Sequence, residues 1–434
     1  MVLDCAIAGA PVTGLAERSE ETTPVPVFDV AIAGGGIVGA TVACALRGSG
    51  LKVVVIEALP QATAARQAQA YAFSLLSGRI FRGLGLWETV RSRLETFTRI
   101  RLSDGDWPDV VEFEPADLGT AELGYVAEHS VLLSALHQAI NAAPEITWLC
   151  PVAVTSVTYG DEFAEVVIAP NGELMGDLTG DRGDALPQKL RAKLVVAADG
   201  GRSPLREAAG IGTRGWGYWQ SCLVAAVRPE RSHDQVAYER FQASGPFAIL
   251  PLGDTCRIVW TAPHAEAQAL AALDDEQFLA QLERRFGPQM GKLTLLGRRY
   301  TFTVRLMQSD RYCRPRLALV GEAAHNCHPV GGQGLNLGIR DAAALAETIQ
   351  TAIARGEDIG SVAVLRRYDR WRRWGNWTIL GFTDLLDRLF SNQIWPLMAV
   401  RRLGIFALKR IKPLKIFSLK LMTGLLGRLP ALAR

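Results

Sequence analysis

A chain of 434 residues, 49% of them hydrophobic, with a formal net charge of only +3 is long enough for more than one domain and has the make-up of a folded protein. Its seven cysteines form no CxxC pair and its six histidines no HExxH, so neither a disulfide framework nor a metal site is indicated. The charge is uneven: nine Lys or Arg and no acid lie between Met398 and Arg434, which leaves −6 of the +3 total on the rest and excludes a nucleic-acid-binding body.

Residues 1–27 lack the basic start and long apolar core of a secretory signal and read as a disordered leader. FDVAIAGG (28–35) is an apolar strand entering Gly34-x-Gly36-x-x-Gly39, followed by a helix rich in small residues and the strand LKVVVIEA (51–58), with Glu57 at its end. Strand, glycine turn, helix, strand and terminal acid, in that order, are the context a dinucleotide fingerprint requires. Gly34 permits the turn, Gly36 the approach of a pyrophosphate to the helix amides, and Gly39 close helix-to-strand packing. Glu57 would accept hydrogen bonds from a ribose. The alternative is a glycine-rich turn without a ligand, and the motif alone does not separate FAD from NAD.

QAYAFSLLSGRIFRGLGLW (69–87) reads as a helix closing at Gly85; residues 100–105 and 109–115 alternate as strands. EHSVLLSALHQAI (128–140) is a predicted helix and ITWLC (146–150) a strand. KLVVAADGGRSPLREAAG (193–210) is a second buried strand that runs into Asp199-Gly200, with Ser203 and Arg206 beyond. An acid at that strand end can hold ribose or ribityl hydroxyls; otherwise the pair is a plain turn and Arg206 a solvated helix residue. Between 222 and 263, CLVAAVRP, QVAYERF, FAILPLG and CRIVWTAP are four short alternating runs of an antiparallel sheet, and DDEQFLAQLERRF (274–286) is a helix. Trp216, Tyr218, Trp219, Phe247 and Trp260 either line a cavity between this sheet and the glycine motifs or are ordinary core.

RLALV (316–320) repeats the layout on a larger scale, with Glu322 just past the strand, PVGGQGLN (329–336) as a glycine loop and a long helix after it. The positive end of that helix points back at the loop and would stabilise the anion of a reduced flavin. Asn336 could then bond the pyrimidine edge of the ring and Pro329 brace its face. His325 and His328 read as bases or as structural imidazoles, and Cys327 as packing. Three nucleotide-type elements, each following a strand, suit an extended dinucleotide such as FAD.

The segment 401–434 interleaves cations with Leu, Ile and Phe, and Pro413 divides it into two helices, neither able to cross a bilayer. On a membrane surface Phe406, Ile411, Leu414, Phe417, Leu421 and Leu425 would enter lipid while lysines meet anionic head groups. The alternative is a helical pair packed on the body.

GGGIVGA, VVAADGGRSPLR and GEAAHNCHPVGGQGLNLGIRD, in this order, resemble the three FAD motifs of the flavoprotein aromatic hydroxylases, within them the UbiH/VisC type of ubiquinone biosynthesis. FRGLGLW, LGYVAEHSVL, YERFQASGPFAILPLG, IVWTAP, TDLLDRLFSN and VRRLGI add to the likeness, which spans residues 28–428. The resemblance implies FAD held by Gly34, Gly36 and Gly39 at the pyrophosphate, Glu57 at the adenosine ribose, and Asp199 and Arg206 in the second motif. Glu322 stands where relatives often carry Asp at the ribityl chain; Pro329, Gly332, Gly334, Leu335 and Asn336 surround the ring. Gln69 replaces an Arg common beside the flavin, which removes a fixed positive charge.

The implied fold class is α/β: a discontinuous Rossmann-like FAD-binding domain (28–99, 120–212, 305–360), an interleaved antiparallel-sheet substrate domain (100–119, 213–304) and a C-terminal helical region (361–434) with a basic amphipathic tail. The implied activity is hydroxylation of a prenylated phenol or quinone precursor through a flavin C4a-hydroperoxide, with NAD(P)H as reductant and molecular oxygen as co-substrate. No side-chain nucleophile is then required; Pro329, His325 and Tyr218 are the ring-positioning candidates. Alternatives on the same scaffold are an isoprenoid reductase, an epoxidase, a halogenase or a non-catalytic flavin-binding membrane scaffold. The expected setting is cytoplasmic, on an anionic membrane surface reached through 401–434, with other proteins of a biosynthetic complex as further partners and no nucleic acid.

Overall fold

The computed structural model describes residues 25–67, 69–105, 107–170 and 188–434; most of the expected leader, residues 1–24, lies outside them. The strands of the three glycine motifs are neighbours in one sheet, in the order Cys313–Arg314, Leu317–Leu319, Gln188–Ala197, Val27–Ala33, Val53–Ile56, Ile146–Leu149. From Leu317–Leu319 to Ile146–Leu149 all pairs are parallel. Val30, Ile32, Val53, Val54, Val55 and Val196 are fully buried, because helices cover both faces of such a sheet and leave no solvent side to alternate toward. Val152–Tyr159 and Ala164–Pro170 extend it as an antiparallel pair along Gln188–Ala197.

A second eight-stranded sheet runs His325–Asn326, Leu293–Ser309, Thr213–Pro229, Thr255–Pro263, Phe247–Leu252, Val236–Phe241, Arg99–Asp104, Val110–Phe113. Helices His264–Ala272 and Asp275–Phe286 cover one face, over a core that includes Leu223, Phe247, Ile258, Trp260 and Phe278. The other face turns toward the glycine motifs. Phe247 and Trp260 are therefore core of the second domain, and Trp216 and Trp219 are 44% and 48% exposed, so of the five aromatic cavity candidates only Tyr218 stands beside the third motif.

Two boundaries differ from the sequence reading. Ala70–Ser74 is a strand paired with Gly124–Glu128, and the helix begins only at Leu75, where the Ser74 hydroxyl accepts from the Ser77 amide. A partner strand some fifty residues away decided between periods that AYAFS alone leaves open. Leu293–Ser309 is one continuous strand, so a domain boundary at 304/305 falls inside it.

After the long helix Val362–Phe390 come Trp395–Arg410 and Lys412–Thr423, broken near Pro413. These tail helices pack on both domains. Arg401 and Asp104 form a buried pair at 2.8 Å, and Lys409, Lys415 and Arg428 pair with Asp109, Asp117 and Glu347. Leu421 is buried with Leu337, Ile379 and Leu380, and Leu425 packs on the main core, which removes both from the lipid-facing set. Phe406, Ile411, Leu414 and Phe417 remain 40–52% exposed. Among the described residues no helix is long and apolar enough to cross a membrane.

Candidate functional site

The three motifs meet at the carboxyl ends of adjacent parallel strands, the place where such sheets open a crevice for nucleotides. Gly34 has φ +103°, and a Cβ there would overlap the carbonyl oxygen of Ala198; a Cβ on Gly39 would overlap the carbonyl of Gly34. The first turn is thus pressed against the second motif as closely as backbone allows. The first helix, Ile37–Ala45, lies against Gln333–Ala354: a Cβ on Gly338 would sit 2.6 Å from Val38. This contact brings Gly36 and Gly334 to one edge of one sheet. A Cβ on either meets nothing within 4 Å, so both face open space.

Gly331 (φ +64°) and Gly332 (φ +60°) bend the chain into the helix Gln333–Ala354, whose first-turn amides, at Gln333, Gly334 and Leu335, have no intrahelical acceptor. Together with the helix dipole they form an anion-binding end. Glu57 bridges the first turn, accepting from Gly35 at 2.6 Å and Leu59 at 2.9 Å. Asp199 accepts from Leu205 through Oδ2 at 3.3 Å, while its buried Oδ1 has no partner; burial pushes this carboxyl up, against the Ser203 and Leu205 hydrogen bonds. Arg206 is 5% exposed, and its Nη1 donates to the carbonyls of Gly201 and Ala323, tying the second motif to the third. Glu322 is exposed, and its charge adds to the burial that raises the Tyr71 hydroxyl. That hydroxyl donates to Gln69 at 2.6 Å and lies 3.1 Å from His129, placing Gln69 at the same edge.

Three sequence assignments change. The Asn336 side chain does not reach a ring edge. Its Oδ1 accepts from the Ser74 amide (2.9 Å) and the Ser77 hydroxyl (2.7 Å), and its Nδ2 donates to the carbonyls of Ala72 and Gly332 (both 2.8 Å). Four bonds satisfy the amide completely and clamp Ala70–Ser74 onto the glycine loop. His325, 1% exposed although the crevice is open, donates to Asp341 at 2.6 Å and has no access to a substrate. Asp341 also accepts from Arg372, Asn376 and the Gly321 amide; burial would raise it, but His325 and Arg372 bring it down to about 2. Tyr218 spends its hydroxyl on Asp384 at 2.6 Å and stands edge-on over His328 at 4.9 Å, bracing the loop rather than a ring. His328 accepts from the Val330 amide through Nδ1 and faces Gln220 through Nε2 at 3.2 Å; burial holds it at about 3, opposed by Asp384. It is a neutral structural imidazole. Pro329 is half-buried at the start of the loop.

The unpartnered Asp199 oxygen, the open space at Gly36 and Gly334, and the free first-turn amides fit a dinucleotide lying between the two glycine turns. The profile of the FAD binding domain family matches residues 154–383. The chain is 40% identical over 412 residues to ubiquinone hydroxylase UbiL of Rhodospirillum rubrum (94% of this chain, 90% of the relative) and 35% identical over 403 to 3-demethoxyubiquinol 3-hydroxylase of Escherichia coli (92% and 98%). This chain belongs to the FAD-dependent aromatic-hydroxylase flavoproteins. Within that family, the group A flavoprotein monooxygenases, it is also 50% identical over 407 residues to an uncharacterized protein of Synechocystis sp. (94% and 95%). The flavoprotein shares its fold with p-nitrophenol 4-monooxygenase PnpA of Pseudomonas putida DLL-E4, with a TM-score of 0.75, 20% identity, and coverage of 92% of this chain and 99% of that one.

In this flavoprotein monooxygenase the sheet face toward the glycine loop is apolar: Ala237, Phe241, Leu250 and Leu252 belong to one hydrophobic cluster with Val330. One carboxylate breaks that surface. Glu239, absent from the sequence-derived candidates, is half-buried and faces the Gly331 amide; burial pushes its carboxyl up to about 7, against the pull of that amide. Its signal was a Glu between Ala237 and Phe241, at alternate positions of a strand with one buried face.

Proposed function

We propose that this flavoprotein hydroxylates the aromatic ring of a prenylated phenol or quinone precursor in the synthesis of ubiquinone or a related prenylquinone, with NAD(P)H as reductant. The observation that carries this reading is the apolar sheet face, with Ala237, Phe241, Leu250 and Leu252 in one cluster with Val330 of the Pro329–Gln333 loop. The names of the R. rubrum and E. coli relatives support the substrate class. FAD, when bound, supplies activation of dioxygen and transfer of one oxygen atom to the ring.

Each segment of the chain has a task in that chemistry. Gly36 and the amides after it would hold the pyrophosphate, Glu57 and Asp199 the ribose and ribityl hydroxyls, with Glu322 at the crevice edge. The amides of Gln333, Gly334 and Leu335 would face negative charge at the pyrimidine edge. Val330, Phe241 and Leu250 exclude water from the reacting ring. Loss of the gene is expected to accumulate a lipid quinone intermediate with one fewer ring oxygen, read by mass spectrometry. An unchanged quinone profile would refute the reading.

The same proposal places the protein peripherally on the cytoplasmic face of an anionic membrane. Trp395, Leu403, Phe406 and Phe417 are 78%, 67%, 48% and 52% exposed on the two tail helices. Contiguous exposed apolar residues of this kind mark contact surfaces. Six of the nine tail cations face acids of the body, which leaves Arg410, Lys412 and Lys420 for head groups. Changing those four side chains to Ser should abolish flotation with anionic liposomes while leaving thermal stability unaltered. Undiminished flotation would remove the membrane from the proposal. Point changes are the right perturbation, because removing 401–434 would also strip Arg401 from Asp104.

A further inference from the structure

We propose that Glu239 is a catalytic residue that receives the hydroxyl proton of the aromatic substrate, a role that rests on the hydroxylase reading above. Strand Val236–Phe241 pairs Tyr238 with Ile249 and Glu239 with Ala248, and on its other edge Glu239 with Leu102. Alternation sends Tyr238 to the helix-covered face, where it meets Phe286 edge-on at 5.4 Å. Glu239 therefore shares the opposite face with Ala237 and Phe241, which pack against Val330 of the glycine loop. The Gly331 amide faces it from across the gap and opposes the effect of burial on its carboxyl. Sheet face and glycine loop thus both border this carboxylate.

The surroundings do not neutralise it. Among the described residues no Lys or Arg forms an ion pair with Glu239; elsewhere on the same sheet Arg257 pairs with Glu128 and Asp104 with Arg401, both at 2.8 Å. Its neighbour Cys222, with a thiol pushed up to about 12 by burial, is neutral. If Glu239 served only to cap one amide, an uncharged acceptor would suffice without the cost of placing a carboxylate among apolar groups. A carboxylate carries about four lone-pair sites, enough to face the Gly331 amide and still accept from a substrate hydroxyl.

The step is a proton transfer. The phenol O–H bond breaks, the proton passes to a Glu239 oxygen, and the electron pair stays on the phenol oxygen as phenolate. That raises electron density at the ring carbons ortho and para to it, the positions able to attack an electrophilic oxygen. The proton then leaves Glu239 to water. A carboxyl near 7 suits this task at neutral pH. Because the acceptor is the ionised form, proton transfer is available above about 7 and is lost as pH falls below it.

The test uses the FAD-loaded protein and two probes, 4-methoxyphenol and 1,4-dimethoxybenzene, which differ in the hydroxyl proton. Binding is followed through the flavin absorption spectrum at about pH 8 and about pH 5.5. The native protein at the higher pH should prefer the phenol on the order of tenfold, as for a hydrogen bond to a charged acceptor, and lose the preference at the lower pH. Glu239→Gln, which still presents an oxygen acceptor toward Gly331, should show a weaker preference that does not vary with pH. Glu239→Asp should retain a pH-dependent preference. An absent preference in the native protein, or an unchanged ratio and pH trend in Glu239→Gln, overturns the proposal. Incorporation of labelled oxygen into the phenol is scored separately: failure there with the binding preference intact sinks the hydroxylase reading and leaves the proton contact standing.

Discussion

Gly36→Ala should separate cofactor binding from folding. Gly36 has φ −64° and ψ −179°, a conformation open to any residue, and its added Cβ would touch nothing within 4 Å. Lower entropy of the unfolded chain favours the variant by about 0.4–1 kcal/mol, and loss of a permissive N-cap costs a few tenths to about 1 kcal/mol. Apoprotein stability should therefore stay within about 0.5 kcal/mol of native. The methyl group stands where a pyrophosphate approaches the helix amides, and weakening one such charge-assisted hydrogen bond, worth about 1.5–3 kcal/mol, reduces FAD affinity roughly ten- to a hundredfold. Urea unfolding of the apoprotein and a fluorescence titration with FAD measure the two quantities independently. Gly39→Ala is the internal contrast: its Cβ overlaps the Gly34 carbonyl, so the apoprotein itself should lose about 1–3 kcal/mol. FAD affinity within twofold of native in Gly36→Ala would refute the placement of the cofactor.

Asp341→Asn breaks a buried pair with Arg372 and should destabilise the protein by about 3–5 kcal/mol in urea unfolding; a loss below about 1 kcal/mol would mean that the network around His325 is not electrostatically held. His328 binds its proton at about 3 in the fold, far below an unfolded chain's 6.5, so its share of stability is complete above about 6.5 and declines as pH falls toward 3. Between pH 7 and pH 5 that decline is about 2 kcal/mol, and His328→Gln should remove it; parallel stability curves for the two proteins would contradict the assignment.

The FAD crevice was legible because its parts are local. Each glycine motif follows its own strand, so Gly34, Gly36 and Gly39, or Gly332 and Gly334, carry their conformational requirement within a few residues. That the three strands lie side by side follows from their shared apolar character, since only a doubly covered parallel sheet buries VVVI and LVVA completely. The misread residues are those whose partners come from afar. Asn336 stands in a recognisable loop, yet its bonds go to Ala72, Ser74 and Ser77, some 260 positions earlier, in a stretch whose strand character was itself hidden. His325 is answered by Asp341 on the next helix, and no local pattern distinguishes a base from an imidazole held that way. The tail follows the same rule: its nine cations are legible in the sequence, but the acids that six of them face come from distant parts of the body.

The glycine loop is finished by the far end of the chain. The Gln333 side chain donates through Nε2 to the carbonyl of Met422 at 3.1 Å, and the Met422 methyl fills the place a side chain on Gly331 would need. A polypeptide still tethered at its carboxyl end during synthesis has its opening dinucleotide fold in hand but not the wall that completes it. Cofactor capture should therefore follow the synthesis of residues 89 positions beyond the loop they close.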